Sequence, residues 1–228
     1  MDPRIREDDK ETEHGNAHND EFQHKIRRVA MAAKEILSIV AGLLFFIAFI
    51  PYIRAIVKGE TKPSKASWII WATLDSITIA AMLVKHTVNG QIIGAVAGSW
   101  IVVALTLKYG TPGWTKLDKF CLGGAVLGIA LWQIFSNPVL GMMTSLSVVC
   151  LGSMPTFVSA WRDPSKEDRT AWAIFWLSCV VAIIAIPRWT LMDAAQPIIF
   201  TVIESIMMYL LWIKPRFGRI KHKNIAQR

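Results

Sequence analysis

Catalytic motifs are what this chain lacks first. No H-E-x-x-H, P-loop, G-x-S-x-G or dinucleotide-type G-x-G-x-x-G occurs anywhere in it, and so nothing predicts an enzyme. Cysteine is scarce. Cys121, Cys150 and Cys179 are far apart, and each lies within an apolar stretch. That spacing excludes a zinc knuckle and a disulfide framework and leaves small packing residues. His86 and His222 are isolated. His14 and His18 are four apart among acids in a polar tail, where a solvated reading outweighs a metal site. No metal and no cofactor is expected. The first thirty or so residues have no apolar run of the kind a signal peptide needs. Residues 1–33 are expected to be a polar, disordered tail. Within it Gln23 to Lys34 has the makings of a short basic helix at a membrane surface.

What the chain does have is apolar blocks. Hydrophobic residues make up 53% of its 228 positions, and they are gathered into long runs between short polar stops. Seven runs can be placed: Ile36 to Val57, Trp68 to Val84, Ile92 to Leu107, Leu117 to Phe135, Val139 to Trp161, Ala171 to Ile186 and Met192 to Ile213. About 20 mostly apolar residues are needed for a helix to cross a bilayer. None of the runs alternates as a strand would. Backbone groups in lipid must pair within their own segment, so the runs are expected to be transmembrane helices. The ten Trp residues often fall near run ends, as an interfacial belt does.

The net charge is +8, but the basic residues flank apolar runs. This points to topology and lipid headgroups, not to nucleic acid. One side collects Arg54, Lys58, Lys62, Lys65, Lys108, Lys116, Lys119, Arg162, Lys166, Arg169 and the tail from Lys214. The short loops of the other side hold Lys85 and Arg188. The positive-inside rule then predicts a cell-membrane protein (plasma or inner membrane) with its C-terminus in the cytoplasm and its N-terminus outside. Lys25, Arg27 and Arg28 in the N-terminal tail oppose that orientation without reversing it.

The chain also repeats itself. PYIRAIVKGETKPSKASWIIW from Pro51 aligns without a gap on PTFVSAWRDPSKEDRTAWAIFW from Pro155, matching Pro51 to Pro155, Lys62 to Lys166 and Trp68 to Trp172. With a slip of a couple of residues, Ile92, Ile93, Ser99 and Lys108 fall opposite Ile198, Ile199, Ser205 and Lys214. Runs one to three therefore match runs five to seven, and run four restores the direction. Two parallel triplets related by an axis along the membrane normal are one of the repeat schemes of transporters. The organisation expected is all-α: a first three-helix bundle at 34–110, a linker helix at 117–136, a second bundle at 137–214 and a basic cytoplasmic tail at 215–228.

A helix-ending proline, a basic loop and a Trp-led next helix, twice over in this layout, resemble the PQ-loop family. It includes the SWEET sugar transporters, cystinosin-like exporters and the KDEL receptor. The resemblance covers nearly all of the chain after Lys34, and GETKPSKASWIIW looks closest to prokaryotic members. It departs from the family in two ways. The Pro-Gln dipeptide is here Pro51-Tyr52 and Pro155-Thr156, and the third helix of each triplet lacks the Asn of the sugar transporters. The resemblance thus implies the fold more strongly than a sugar substrate. It also implies that Pro51 and Pro155 act as hinges, since each lacks an amide hydrogen and frees a carbonyl one turn earlier.

The residues themselves add candidate sites. Asp75 and Glu204 lie mid-run with no Lys or Arg at their depth. Such acids face a cavity or the bundle interior, and proton coupling is a natural role. The plainer reading is a protonated acid bonded to a neighbouring hydroxyl. Trp68, Trp71 and Asp75 fall at i, i+3 and i+7, on one helix face, and Trp172, Trp176 and Cys179 form the stripe taken to match it. Stacking surface beside one acid suits a small solute, although Trp68 and Trp172 also suit the interfacial belt. Ser99, Trp100 and Ser205 are lesser candidates. Gly94 with Gly98 and Gly124 with Gly128 permit close helix approach, either within the chain or at a homo-oligomer seam. The function expected is a transporter of a small solute (sugar, amino acid or vitamin-like) across the lipid bilayer. The alternative is a receptor, sorting or assembly factor on the same fold.

Overall fold

The computed structural model describes the backbone of residues 3–60, 63, 65–110 and 113–214, with side chains from residue 21 onward in those stretches except at 155, 159 and 166. The tail at 215–228 and the His14 and His18 side chains lie outside the described residues. The regular structure described is all helical: α1 (Pro3–Val57), α2 (Lys65–Val84), α3 (Gly90–Tyr109), α4 (Lys116–Phe135), α5 (Pro138–Arg162), α6 (Arg169–Ala185) and α7 (Leu191–Met208). A wider π-type turn, Tyr209–Ile213, carries α7 onward. Six of these helices are long and apolar enough to cross a membrane. The seventh, α6, has 17 residues, about 26 Å of helix and near the lower limit for a span.

Sequence chemistry sets the ends. Thr115 and Asp118 form a capping box at the start of α4, Asn89 caps α3 and Asp168 caps α6, each satisfying an amide that the first turn leaves free. Between α4 and α5, Ser136 takes a left-handed conformation (φ 48°) and Pro138 opens the next helix. The N-terminal tail is a correction. Expected as a disordered segment at 1–33, it continues α1 back to Pro3. The stretch contains many Glu, Lys, Arg and Ala residues and no proline after Pro3 until Pro51, so Gly15 is the one strongly unfavourable residue the helix must carry there.

The core sits where the helices meet, and large apolar side chains also cover the outside. Leu43, Leu83, Ile93, Leu107, Phe120, Ile134, Ile184 and Val202 are all exposed. A protein that is apolar on both its inner and outer surfaces is built for lipid. α1 packs on α3 and on α6; α2 packs on α3 and on α5; α7 packs on α5 and α6; α4 lies on α5 and α2. The α1–α3 seam is very close. A Cβ on Gly94 would come within 2.3 Å of Gly42 O, and one on Gly98 within 2.0 Å of the Phe49 ring. Gly124 and Gly128 meet Val148 and Thr144 of α5 in the same way. Both G-x-x-x-G stripes thus face partners within the chain.

Candidate functional site

Two cavities lie at opposite ends of the helix assembly. The larger, about 460 Å³, runs from the α1–α2 and α5–α6 loops, at Glu60, Pro63 and Glu167, inward to Asp75, Ser99 and Glu204. It opens at the end that gathers most of the Lys and Arg. The other, about 430 Å³, is lined by the opposite loops, at His86 to Asn89 and Ile186 to Arg188, and by α1 from Met31 to Ala41.

The larger cavity has aromatic walls. Trp68 and Trp71 stand edge to face 5.3 Å apart, and Tyr52 lies 5.3 Å from Trp68. Phe49 and Phe175 are 5.0 Å apart, Phe45 lies 4.7 Å from Phe175 and 5.8 Å from Phe200, and Trp172 adjoins Phe175 at 6.1 Å. Edge-to-face and tilted pairs of this kind hold one another's orientation and so keep the walls in place.

The two acids predicted from sequence reach this cavity from different helices, Asp75 from α2 and Glu204 from α7. Both are nine-tenths buried. Neither carboxyl has a hydrogen-bond or ion-pair partner among the described residues, and Glu204 Oε2 is buried with none. Of the hydroxyls that could have been alternative partners, Ser76 Oγ donates to Ala72 O (2.7 Å) and Thr201 Oγ1 to Pro197 O (2.7 Å), while Thr78 Oγ1 is buried with no partner among the described residues. At the mouth, Trp172 Nε1 donates to Glu167 Oε2 at 3.0 Å. Burial pushes the Glu167 carboxyl above its ordinary value, and the Trp172 bond offsets part of that shift.

Of the other sequence candidates, Trp68, Trp71, Ser99 and Trp172 line the cavity, whereas Trp176 and Ser205 do not. Trp176 Nε1 instead donates to Ser205 Oγ at 3.1 Å, and Ser205 is exposed. The reason is angular. On α2 the second ring sits three residues after Trp68. Three residues after Trp172 is Phe175, and Trp176 is a further 100° round the helix. Pro51 lies within α1, and α5 runs helical through position 155. A further interior proline, Pro197, stands in α7. Trp100, on the outer face of α3, donates to Ser76 Oγ at 3.1 Å.

Sequence reasoning missed an amide layer along the inner wall of the second cavity. Asn89 Nδ2 donates to Gln196 Oε1 (2.9 Å), Gln196 Nε2 to Gln91 Oε1 (3.1 Å) and Gln91 Nε2 to Cys179 Sγ (3.1 Å). Gln91 and Gln196 are fully buried. This clasp joins α3, α6 and α7. Lys34 Nζ reinforces that end by donating to Ile186 O at 2.6 Å. Gln91 and Gln196 are 105 residues apart, the same separation as Ser99 and Glu204. A register of 105 would have paired both sets, and the slip used to align Ser99 with Ser205 hid it.

No family model, curated protein or solved structure matches the chain.

Proposed function

We propose that the chain is a small-solute transporter of the PQ-loop type, in which two parallel three-helix bundles, α1–α3 and α5–α7, alternate a shared site between the two sides of a membrane. One observation carries this reading. A mid-depth cavity holding two unpartnered acids opens toward one end, and a buried amide clasp forms the inner wall of a second cavity at the other. A ligand site closed on one side by weak, reversible bonds is what alternating access requires.

The packing pattern supports the repeat. α1 meets α6 as α5 meets α2, and α3 and α7 each contact both other helices of their own bundle. Gln91 and Gln196 would then face one another across the axis. By the positive-inside rule the open mouth is cytoplasmic, with the C-terminus on that side. Pro51 would serve as the hinge of α1 beside the cavity, and Pro155 its counterpart in α5.

The reading is tested in liposomes with a pH-sensitive dye inside. Sugars, amino acids and amines are added to the wild type, Asp75→Asn and Glu204→Gln. Solute-dependent proton flux that is lost in either variant is expected. Absence of flux with every solute would overturn transport.

One feature favours the alternative of an assembly or receptor role. α1 has 55 residues, about 80 Å of helix, whereas roughly 30 Å spans the bilayer core. Its surplus turns offer a partner surface outside the membrane. Deleting 1–25 would leave flux intact in a transporter and abolish partner capture in a receptor.

A further inference from the structure

The charge of the larger cavity is one-sided. Among the described residues its lining carries Glu60, Asp75, Glu167 and Glu204, and no Lys, Arg or His. The neutral donors are few and partly engaged: Ser67 donates to Asp118 and Trp172 to Glu167, which leaves Tyr52, Trp71 and Thr156 facing the chamber. Ser99 Oγ donates to Val96 O and Ser153 Oγ to Val149 O, each within its own helix. A sugar has many hydroxyls to satisfy and would leave several unpaired in such a chamber. An anion would meet carboxyls and the negative faces of the rings. A cation would meet attraction from both, because ring faces and carboxylates draw positive charge together.

Resting on the transport reading, we propose that the solute is an organic monocation, an amine or quaternary ammonium of up to drug-fragment size. It would be held against the Trp68, Trp71 and Phe175 rings with its charge directed at Asp75 or Glu204. The volume of about 460 Å³ falls in the usual range of small-molecule sites. Charge balance then sets the coupling. A bare carboxylate at this depth is costly, so the empty site keeps its proton. When the cation arrives, the O–H bond of one carboxyl breaks. The proton leaves through the mouth, and the carboxylate pairs with the ammonium. The site's net charge is the same before and after, so the exchange of cation for proton is electroneutral. Other titratable groups on the surrounding elements include Tyr52 on α1, Glu60 and Glu167 at the mouth, Asp118 and Cys121 on α4, Cys150 on α5, Cys179 on α6 and Asp193 at the far end of α7. Asp118 is held by Thr115 and Ser67, and Cys179 by Gln91. Glu60 lies 3.9 Å from Lys58 and Glu167 accepts from Trp172, so among these carboxyls Asp75 and Glu204 are the two without a partner.

The test is binding to the full chain in nanodiscs, which requires no transport. Two pairs of probes match in shape and differ in charge: choline with 3,3-dimethylbutan-1-ol, and benzylammonium with benzyl alcohol. Binding is read by calorimetry, and proton release by a dye in weak buffer. At least one cation is expected to bind about tenfold or more tighter than its neutral partner, with close to one proton released per cation. Trp71→Leu should weaken cation binding, and Glu204→Gln or Asp75→Asn should abolish the release, in variants whose gel-filtration profile matches the wild type. Equal affinity within both pairs, tighter binding of glucose, or no binding of any probe would each overturn the proposal. Because both pairs are compared on the wild type, misfolded variants cannot decide the matter. Cation binding with proton release but no flux of any solute would keep this proposal and remove transport. Flux of neutral solutes alone would do the reverse.

Discussion

Substituting Gly42 by alanine should loosen the α1–α3 seam. The added Cβ would lie 2.3 Å from Gly90 O and 2.6 Å from Gly90 C, both backbone atoms that have no rotamer to give. Ordinary contact needs at least 3.4 Å, so the two helices must part locally by about 1 Å. That strains the 2.8 Å bond from Gly90 N to Ser38 Oγ. Overpacking of this kind costs about 1–3 kcal/mol. The opposing term is helix propensity, worth at most about 1 kcal/mol for Gly to Ala. It shrinks in a membrane, where the helix persists after its neighbours separate. The net expectation is a loss of about 1–2 kcal/mol, a factor of roughly 5–30 in the folded-to-unfolded ratio. Gly123→Ala is the control, since its Cβ would meet nothing within 4 Å. Both variants are followed by Trp fluorescence during denaturant titration in micelles. The reasoning is refuted if Gly42→Ala unfolds at the same midpoint as Gly123→Ala, or later.

Other outcomes follow from the same structure. Gln196→Leu removes a partner from both Asn89 and Gln91 and should cost about 1–2 kcal/mol. The double variant Gln91→Leu/Gln196→Leu should be less destabilised than the sum of the singles, as a double-mutant cycle in micelles would read. Thr115→Ala deletes the capping box of α4 and should cost about 1 kcal/mol, with solute flux unchanged because α4 lies outside the cavity lining. Glu167 has a pKa raised by burial above its ordinary 4.5, so folding favours its protonated form. Its contribution to stability is full below pH 4.5 and declines as pH rises through the raised value. Glu167→Gln should therefore gain on the wild type in thermal midpoint as pH goes from 4 to 8; a constant difference would contradict the sign.

The helices could be read in the sequence because lipid demands uninterrupted apolar runs. The extension of α1 could not. Composition alone favours disorder in a polar segment, and what opposes it here is the absence of proline from Arg4 to Ile50. Within the cavity, Trp68, Trp71 and Asp75 could be found because their spacing lies on one helix. Trp176 was taken for Phe175 because the eye follows tryptophan, whereas the helix counts residues. The clasp is legible only in three dimensions. Gln91 and Gln196 look like isolated amides, and their pairing spans 105 of the 228 residues. Glu60 and Glu167 read as ordinary loop acids until the loops that bear them close round a mouth.

Side-specific labelling across the clasp tests alternating access most directly. A cysteine replaces Ser99 in a background with Cys121 and Cys150 changed to Ser; Cys179, fully buried in the clasp, is kept, and the same background with Ser99 in place is the control. Ser99 lies eight residues, about 12 Å, along α3 from Gln91. A membrane-impermeant maleimide is applied to one face of sealed liposomes at a time, with and without Gln91→Ala and Gln196→Ala. With the clasp intact, labelling is expected only from the Lys- and Arg-rich side. With it broken, labelling should appear from the opposite side and fall on the first. Labelling that ignores the clasp, or that comes equally from both sides throughout, would contradict the account.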